Sequence, residues 1–346
     1  MNRKVFSSHT LRTDGITGLP LWRGGLALLI LAAASVLVTE IVARTPLGGM
    51  LPPPSVGADS FEFDIKVYYL EQSIRQRGAL DCLIMGDSMA NDGPDPLLVE
   101  QAYRSQTGAP LHCFNFGIPG LTLDASGPLA QALVRKFHPR LVIFLLASRD
   151  FVPKYGGAYR HVASSDWTKY NLGEASFRGW VVNSLYAYRY SLLLKYWLNP
   201  SNRSNFVVAW HYISPQGFTP RHGIAPPRRR LHAKQEFTLD DREAQLGLQR
   251  LLQLKGDGGN LLVLDAPLKP DYLAAFEQVN KDQYIEPMSE VFEALDIPFW
   301  LTKDLSQAIP EEAWYDSLHV NQEGTRIFSG WLGQRLAKYY PPDFFK

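Results

Sequence analysis

An apolar run near the N-terminus constrains this chain most, because such a run can fold only as a buried or a lipid-embedded helix. Gly24 to Val42 reads GGLALLILAAASVLVTEIV, and Glu40 is its one charged residue. About 20 residues of α-helix cross the hydrocarbon core of a bilayer. No charged residue marks a solvent-facing stripe between Leu26 and Val38. We therefore predict one transmembrane helix over residues 24–44.

The charges around this run predict its orientation. The basic residues that precede it, against the single acid Asp14, are Arg3, Lys4, Arg12 and Arg23. By the positive-inside rule, residues 1–23 form a cytoplasmic tail and the chain after Arg44 lies outside the cytoplasm, at a bacterial-type inner (cytoplasmic) membrane. The alternative is a signal peptide cleaved after Ala43 and a secreted protein. The run is long for a signal peptide, and no clear A-x-A pattern precedes Ala43.

A segment rich in proline and glycine follows, TPLGGMLPPPSVG from Thr45 to Gly57. Such composition is typical of a spacer without a core of its own. We predict a stalk over residues 45–60 and a folded domain over residues 61–346.

Composition excludes several classes of protein. The 346 residues carry a formal net charge of +1, which gives no global attraction to nucleic acid. Two cysteines do not suffice for a disulfide-stapled miniprotein or a cysteine-rich zinc site. The eight histidines show neither H-x-x-x-H nor H-E-x-x-H spacing, and no Walker or G-x-G-x-x-G motif occurs. The sequence therefore predicts no metal, no cofactor and no nucleic acid partner.

Short apolar runs alternate with helical patterns in the rest of the chain. The predicted strands are Asp81–Met85, Pro110–Phe116, Leu141–Leu146, Asn260–Leu264 and Pro298–Leu301. Helices are predicted over Pro96–Tyr103 and Gly127–Phe137, and a closing helix over Gln322–Tyr339, with Asn321 as its cap. This alternation predicts an α/β fold, a three-layer sandwich with a mostly parallel sheet. In such sheets, sites lie at the carboxyl ends of the strands.

The stretch from about residue 152 to 253 breaks this rhythm, and we interpret it as an inserted cap. It contains a basic cluster, Arg228 to Arg230, which is either a solvated loop or a guide for an anionic polymer. Its segment Trp180–Leu198 is aromatic and apolar, with Arg189 and Lys195 arguing against a membrane span. That segment either packs onto the sheet or touches a bilayer surface.

Three motifs follow predicted strands or precede the closing helix. GDSM, Gly86 to Met89, places a serine at a strand-to-helix turn, where its hydroxyl can reach a substrate carbonyl. DSLH, Asp316 to His319, supplies a histidine that can take a proton from serine and an acid that can orient it. NFGIPG, Asn115 to Gly120, has glycines that allow close approach of backbone N–H groups to a ligand. Each motif alone also fits an ordinary capping loop or turn.

Together these motifs resemble the SGNH (GDSL-type) hydrolase superfamily over about residues 80–150 and 260–339. The resemblance implies an SGNH/flavodoxin-like fold, with Ser88 as nucleophile, His319 as general base and Asp316 as the acid that orients it. It implies an oxyanion site at the N–H groups of Ser88 and Gly120. The residues that we expect near substrate are Asp87, Asn115 and Gly117, and Gly117 is the second choice for the oxyanion N–H.

One block departs from the family pattern. Where the superfamily has G-x-N-D, this chain has ASRDF, so Arg149 occupies the place of the oxyanion asparagine. A guanidinium could bind an oxyanion or form a structural ion pair with Asp87 or Asp150. With its membrane anchor and stalk, the chain looks more like the envelope-modifying branch, which includes DltD-like and alginate O-acetyltransferase-like proteins.

The resemblance implies a serine acylesterase or O-acyltransferase outside the cytoplasm. Its expected partners are an acylated envelope polysaccharide or another acyl donor, the membrane through one helix, and a membrane-bound acyltransferase. A non-catalytic glycan-binding or assembly factor with the same fold is the alternative. A lipase or lysophospholipase at the membrane surface is a further one.

The two cysteines occupy equivalent places in the first two predicted strands. Cys82 and Cys113 each lie four residues before a strand-ending glycine. Because cross-strand geometry is often unsuitable for a disulfide, we expect buried free thiols, with a bond as the alternative.

Overall fold

The computed structural model describes residues 21–45, 51–151, 160–225, 241–256 and 259–346. The chain forms two compact units, Met1–Leu51 and Pro52–Lys346. The first contains helix α1, Leu21–Arg44. Within Gly24–Arg44 of α1, an 18-residue window has a mean hydropathy of 2.5. Among the described residues, this is the helix that is long and apolar enough to cross a membrane. A signal sequence passes the same test. The basic cluster Arg228 to Arg230 lies outside the described residues.

The second unit contains a five-stranded parallel sheet. Its strands are β1 Cys82–Met85, β2 Cys113–Asn115, β3 Leu141–Leu146, β4 Leu261–Asp265 and β5 Phe299–Trp300. They lie in the order β2-β1-β3-β4-β5, and every adjacent pair is parallel. All five strands fall on the apolar runs of the sequence, which confirms the α/β class and the parallel sheet.

Helices fill the connections between these strands. In chain order they are α2 Phe61–Arg77, α3 Ser88–Asp92, α4 Pro96–Thr107, α5 Leu123–Phe137, α6 Arg160–Ala163, α7 Asp166–Asn171, α8 Phe177–Ser184, α9 Tyr186–Trp197, α10 Pro200–Tyr212, α11 Arg242–Gly256, α12 Pro270–Ala274, α13 Glu277–Asn280, α14 Glu286–Ala294, α15 Lys303–Ala308 and α16 Gln322–Tyr339. The closing helix α16 has the predicted bounds, and the Asn321 side chain accepts the N–H groups of Glu323 and Gly324 at its start.

The strands are buried on both faces, which explains why they are continuously apolar in the sequence. Alternate residues of one strand belong to two different apolar clusters. On β3, Val142 lies in a cluster that includes residues of α2, α5 and α11, whereas Ile143 lies in one that includes residues of α4 and α16.

A disulfide joins Cys82 and Cys113, so the expectation of free thiols is wrong. The two residues are direct partners in the parallel register of β1 and β2, and their Cα atoms are 4.5 Å apart. That separation lies within the range that a disulfide tolerates. The two cysteines hold equivalent positions in their strands, but the register that pairs them cannot be read from the sequence.

Two segment boundaries differ from the sequence-based ones. The second half of the predicted stalk packs on the domain, because Ser55, Val56 and Ala58 are buried before α2 begins. At the far end of the predicted insert, α11 is a core helix, since Leu248 and Leu251 are buried in the cluster that covers one face of the sheet. Helices α6–α10 thus make up the described helical part of the insert.

The strand order determines where a site can form. Strand β1 lies between β2 and β3. The connection that follows β1 leads to β2 on one side, whereas the connection that follows β3 leads to β4 on the other side, so the two connections diverge. In open parallel sheets this switch point leaves a crevice at the carboxyl ends of the strands, where ligands bind. Ser88 directly follows β1, and Ser148–Phe151 follows β3 as a short 3₁₀ helix.

Candidate active site

A continuous hydrogen-bonded chain joins Asp316, His319 and Ser88 at this edge of the sheet. The distance from His319 Nε2 to Ser88 Oγ is 2.8 Å, although 231 positions separate the residues. On the other side of the ring, Nδ1 lies 2.9 Å and 3.0 Å from the two carboxylate oxygens of Asp316. An ionised carboxylate only accepts hydrogen bonds, so Nδ1 carries the proton and Nε2 is left to accept the Ser88 hydroxyl.

The turn after β1 places Ser88 at the first position of α3. Gly86 adopts a φ of +140°, and a Cβ there would lie 2.6 Å from the carbonyl oxygen of Leu145 on β3. Glycine therefore permits both the backbone conformation and the close approach to β3. Asp87 caps the helix, with its Oδ1 accepting the N–H of Met89 at 2.8 Å. As a first-turn residue, Ser88 has an N–H without an acceptor inside the helix.

A compact loop holds the acid and the histidine together. Trp314 and Val320 form an antiparallel bridge that closes it, and the Tyr315 N–H donates to the His319 carbonyl at 2.8 Å. Within the loop, Asp316 Oδ1 accepts the N–H groups of Leu318 and His319 at 2.8 Å and 2.9 Å. These bonds fix the carboxylate before any substrate arrives.

The surroundings of Asp316 keep it ionised. Burial by itself disfavours the charged form, but the interactions with His319 and the two backbone N–H groups outweigh it and hold the pKa of Asp316 at about 2. The carboxylate is therefore available at neutral pH to orient the imidazole and to stabilise it when it takes up a proton.

Arg149 forms an ion pair, which is one of the two roles that the sequence left open. Its Nε lies 3.4 Å from Asp87 Oδ2, and its side chain is mostly buried. Next to it, Asp150 Oδ2 accepts the Ala147 N–H at 2.8 Å. Burial and the nearby Asp87 carboxylate raise the pKa of Asp150 well above its ordinary value. Arg149 thus neutralises a charge directly beside the Ser88 turn.

The NFGIPG loop has its polar groups largely engaged within the protein. The Asn115 amide donates to the carbonyls of Ala90 and Pro94 at 2.7 Å and 2.9 Å, and its oxygen accepts the Gly117 N–H at 2.9 Å. Asn115 is fully buried. Asn115, Gly117 and the capping residue Asp87 thus make hydrogen bonds inside the protein, and their role near substrate stays a prediction.

Gly120 lies in a tight turn of the same loop. The Leu121 N–H donates to the Ile118 carbonyl at 3.1 Å, with Pro119 and Gly120 as the central residues. Gly120 has a φ of +76°, which is the geometry of the third residue of a type II turn with proline before it. Its role toward an oxyanion stays a prediction.

A buried lysine that sequence reasoning missed links α2 to this region. Lys66 Nζ donates to Asn91 Oδ1 at 2.7 Å and to the Gly117 carbonyl at 2.5 Å, and Lys66 has no exposed surface. Burial lowers the pKa of Lys66, while the carboxylates of Glu62 and Asp92 act in the opposite direction. Lys66 therefore connects α2 to the Asn91 side chain on α3 and to the backbone of the loop after β2.

A second feature that the sequence did not reveal is a strap, residues 214–225, at the end of the insert. The Asn115 N–H donates to the Gln216 carbonyl, and the Thr219 N–H donates to the Asn91 carbonyl on α3. Farther along, the Ala225 N–H donates to the Tyr315 carbonyl at 2.7 Å. The strap thus connects β2, the helix that begins with Ser88, and the loop that carries His319.

Arg221 anchors the strap electrostatically. It forms an ion pair with the buried carboxylate of Asp92, and its guanidinium lies 5.0 Å from the centre of the Tyr315 ring. Its backbone carbonyl accepts the Gln322 N–H at 3.1 Å. No local pattern marks this residue in the sequence, because its partners lie about 100 or more positions away.

An apolar cluster borders the site on the side of β3 and β4. Its buried members are Met89, Ala147, Ala266, Leu268 and Phe276, and Leu318 packs against them. Met89 and Leu318 are the immediate neighbours of Ser88 and His319 in the chain. An apolar wall here lowers the local dielectric and strengthens the electrostatics of the site.

Within the described residues, no group of three or more His, Cys, Asp and Glu side chains is arranged to hold a metal ion. The described site therefore offers the Ser88 hydroxyl, the His319 imidazole and the Asp316 carboxylate, joined by hydrogen bonds in that order.

No protein-family model matches the chain, and no curated protein matches it.

Proposed function

We propose that the protein is an SGNH-type serine acylesterase or O-acyltransferase. The observation that carries the proposal is the hydrogen-bonded series from Asp316 through His319 to Ser88 at the carboxyl edge of the sheet. In the reaction, Ser88 Oγ attacks the acyl carbon while His319 Nε2 takes the hydroxyl proton. His319 returns that proton to the departing alcohol. An acceptor hydroxyl, from water or from a sugar, then releases the acyl group from Ser88.

Two features support this family assignment beside the motifs. The strand order 2-1-3-4-5 is the flavodoxin-like one, and apolar clusters on both faces of the sheet agree with a three-layer sandwich. The second is the order of the chemical groups along the chain, with the serine after β1, the glycine turn after β2 and the Asp316–His319 loop before the last helix.

The proposed location is the outer side of a bacterial-type cytoplasmic membrane, and the proposed substrates are O-acyl esters of envelope glycans, acetyl esters first among them. The Cys82–Cys113 disulfide supports this location, since such bonds persist in oxidising compartments. The apolar helix α1 supports membrane attachment. A membrane-bound acyltransferase that supplies acyl groups is the partner that this chemistry would require for transfer.

Hydrolysis of p-nitrophenyl acetate by the full chain tests the proposal. We expect Ser88→Ala and His319→Ala to reduce kcat/KM by about 10³-fold or more. Ser105→Ala, on the exposed side of α4, is the matched control and should retain activity. A fluorophosphonate probe should label Ser88 in the wild type. Equal hydrolysis by the wild type and Ser88→Ala would exclude Ser88 as the nucleophile toward this acyl group.

A non-catalytic envelope factor is the second candidate, and the Arg149–Asp87 ion pair favours it. Arg149 replaces the asparagine that completes the oxyanion site in the superfamily, and its charge is engaged by Asp87. Complementation separates the candidates. If Ser88→Ala and His319→Ala fully restore the phenotype of a deletion strain, glycan binding or assembly is the function. A lipase at the membrane surface would instead prefer long-chain over acetyl esters.

A further inference from the structure

The insert carries large apolar side chains that the fold leaves exposed. On α8, Phe177 is 80% exposed and Trp180 is 45% exposed, and their rings stack with centroids 5.9 Å apart. On α9, Leu194 is 57% exposed and Leu198, directly after the helix, is 82% exposed. We refer to these four residues as the apolar rim. Leu194 and Leu198 are four positions apart and therefore project from the same side.

The two helices that carry the rim, α8 and α9, line one cavity of about 120 Å³ together. Arg178, the neighbour of Phe177, and Lys195, the neighbour of Leu194, both line it. The rim residues thus belong to two consecutive helices, α8 and α9. Other apolar side chains of the same two helices, such as Val182 and Leu193, are buried.

The segment through which the chain enters the domain lies at the same cavity. Ser55, Val56, Gly57 and Asp59 line it together with residues of α8 and α9. Asp59 also pairs with Lys195 at 3.2 Å. The segment through which the chain enters the domain and the two helices that carry the rim therefore line the same cavity.

Covalent geometry limits how far this place can be from the end of α1. Helix α1 ends at Arg44, and the buried part of the domain begins at Pro53. A chain of this length spans at most about 30 Å when fully extended. If α1 crosses a membrane, this length is the limit on how far Pro53 can lie from the end of α1.

We propose that the apolar rim of α8 and α9 inserts into the outer surface of the bilayer that holds α1. This inference rests on the proposed membrane attachment and not on catalysis. Aromatic and leucine side chains at the edge of a helix pair suit the boundary between headgroups and acyl chains. Docking orients the domain, so that the Ser88 site has a fixed direction relative to the membrane.

The charges near the rim indicate which force holds it. Arg178 pairs with Asp166 and Lys195 with Asp59, so the basic groups are locally neutralised. Burial of apolar surface, and not attraction to anionic lipid, then supplies the contact. Docking should therefore persist in neutral bilayers and in about 0.5 M salt, where exposed charges are screened within a few ångströms.

The test uses the full chain in phosphatidylcholine nanodiscs, with an environment-sensitive NBD label on one introduced cysteine. The rim variants are Phe177→Cys, Leu194→Cys and Leu198→Cys. The matched controls are Leu246→Cys on α11 and Leu295→Cys after α14, where the native leucines are 50% and 45% exposed. Cys82 and Cys113 are bonded and buried, so they do not compete for the label.

We expect blue-shifted emission at the three rim positions and roughly twofold quenching there when the lipids carry brominated acyl chains, because the rim reaches the acyl boundary. The controls should emit as in water. Water-like, unquenched emission at the rim would overturn the proposal. A blue shift without bromine quenching would also overturn it and would assign the rim to a second copy of the chain. The same measurement is repeated on the rim variants that also carry Ser88→Ala. An unchanged result is expected there, because docking does not depend on the proposed catalysis.

Discussion

At the scale of single residues, Asp316 carries the largest consequence for the proposed chemistry. Its carboxylate accepts the imidazole Nδ1–H and two backbone N–H groups at once. Replacement by asparagine keeps the shape but removes the charge, and its amide can hold the histidine in the unproductive tautomer. We expect Asp316→Asn to lower kcat by about 10³- to 10⁴-fold with little change in KM. Asp271→Asn, at an exposed position, is the control, and steady-state kinetics is the measurement.

The same carboxylate predicts a dependence of stability on pH. The pKa of Asp316 is about 2 in the folded protein, below its ordinary value of 3.8. A lowered pKa stabilises the folded state above the unfolded pKa, and this contribution disappears as the pH falls from about 4 through 2. Because the side chain is partly exposed, we expect it to amount to about 1 kcal/mol.

Denaturant unfolding of the wild type and Asp316→Asn at several pH values measures this contribution. The difference between their unfolding free energies should be constant near neutral pH and should shrink below pH 4. A difference that does not change across the acid range would show that Asp316 is not held ionised by its neighbours.

The residues of the candidate site were predictable to different degrees. Ser88, Asp316 and His319 stood in short motifs whose order along the chain was informative, and the structure brings all three into contact. Lys66 and Arg221 were not predictable. Each acts through partners on separate elements, and nothing in the neighbouring sequence distinguishes a buried, bonded cation from an exposed one. Asn115 was found by its motif but assigned to substrate, because its backbone partners on and after α3 cannot be read from spacing.

At the scale of elements, the strap joins three parts of the site that local sequence does not connect. Its main side-chain link is the ion pair of Arg221 with Asp92, whose carboxylate is buried. Removing Arg221 alone leaves a buried carboxylate without its cation, which is costly. We expect Arg221→Met to lower the unfolding free energy by about 2 kcal/mol and to reduce kcat/KM, since the loop bearing His319 loses the contact of the Tyr315 ring with the Arg221 guanidinium.

A double-mutant cycle with Asp92→Asn isolates the pair. The double variant should recover part of the loss, with a coupling energy of about 1 to 3 kcal/mol. Arg203→Met, at an exposed position of α10, serves as the control within the insert. Additive effects of Arg221→Met and Asp92→Asn would show that the strap is held by its backbone contacts alone.

The disulfide is a second link between elements and predicts a redox-dependent stability. It ties β1 to β2 and closes a loop with a sequence separation of 31 residues. Loop-closure entropy for that length corresponds to about 3.7 kcal/mol. We expect the wild type in dithiothreitol to lose that amount, and the Cys82→Ala/Cys113→Ala variant to be destabilised to a similar extent.

Adding reductant to the double alanine variant provides the control, because no bond remains to be broken. Its melting temperature should not respond to dithiothreitol. A wild-type melting temperature that is equally insensitive would mean that the bond does not contribute to folded-state stability.

Elements differed in how well the sequence predicted them, for a physical reason. The strands β1 to β5 are short, continuously apolar runs, and α16 is apolar at helical spacing, because the strands are buried on both faces and the helix on one. The strap is an irregular segment that is fixed by backbone hydrogen bonds to distant residues, so it has no periodicity to detect. The start of α5 was misplaced for a related cause, since Gly127 and Pro128 indicate a later start than Leu123, where the helix begins.

At the scale of the whole molecule, the proposed activity depends on which side of a membrane the second unit occupies. The apolar segment of α1 has no charged residue between Gly24 and Thr39, and basic residues dominate the chain before it. We predict that the anchor is retained, that the chain remains in membranes after alkaline carbonate extraction, and that residues after Arg44 are outside. Alkaline phosphatase fused after residue 60 should be active, and the same enzyme fused after residue 20 should be inactive.

Charge reversal tests the cause of this orientation. Replacing Arg3, Lys4, Arg12 and Arg23 with glutamate should lower the phosphatase activity of the residue-60 fusion, because the bias that keeps the N-terminus inside is lost. Mass spectrometry of the purified wild-type protein should find the tail still attached. A soluble product that begins at about residue 44 would replace the anchor with a cleaved signal peptide. It would leave the Ser88 site intact but remove the tether on which the proposed docking of α8 and α9 depends.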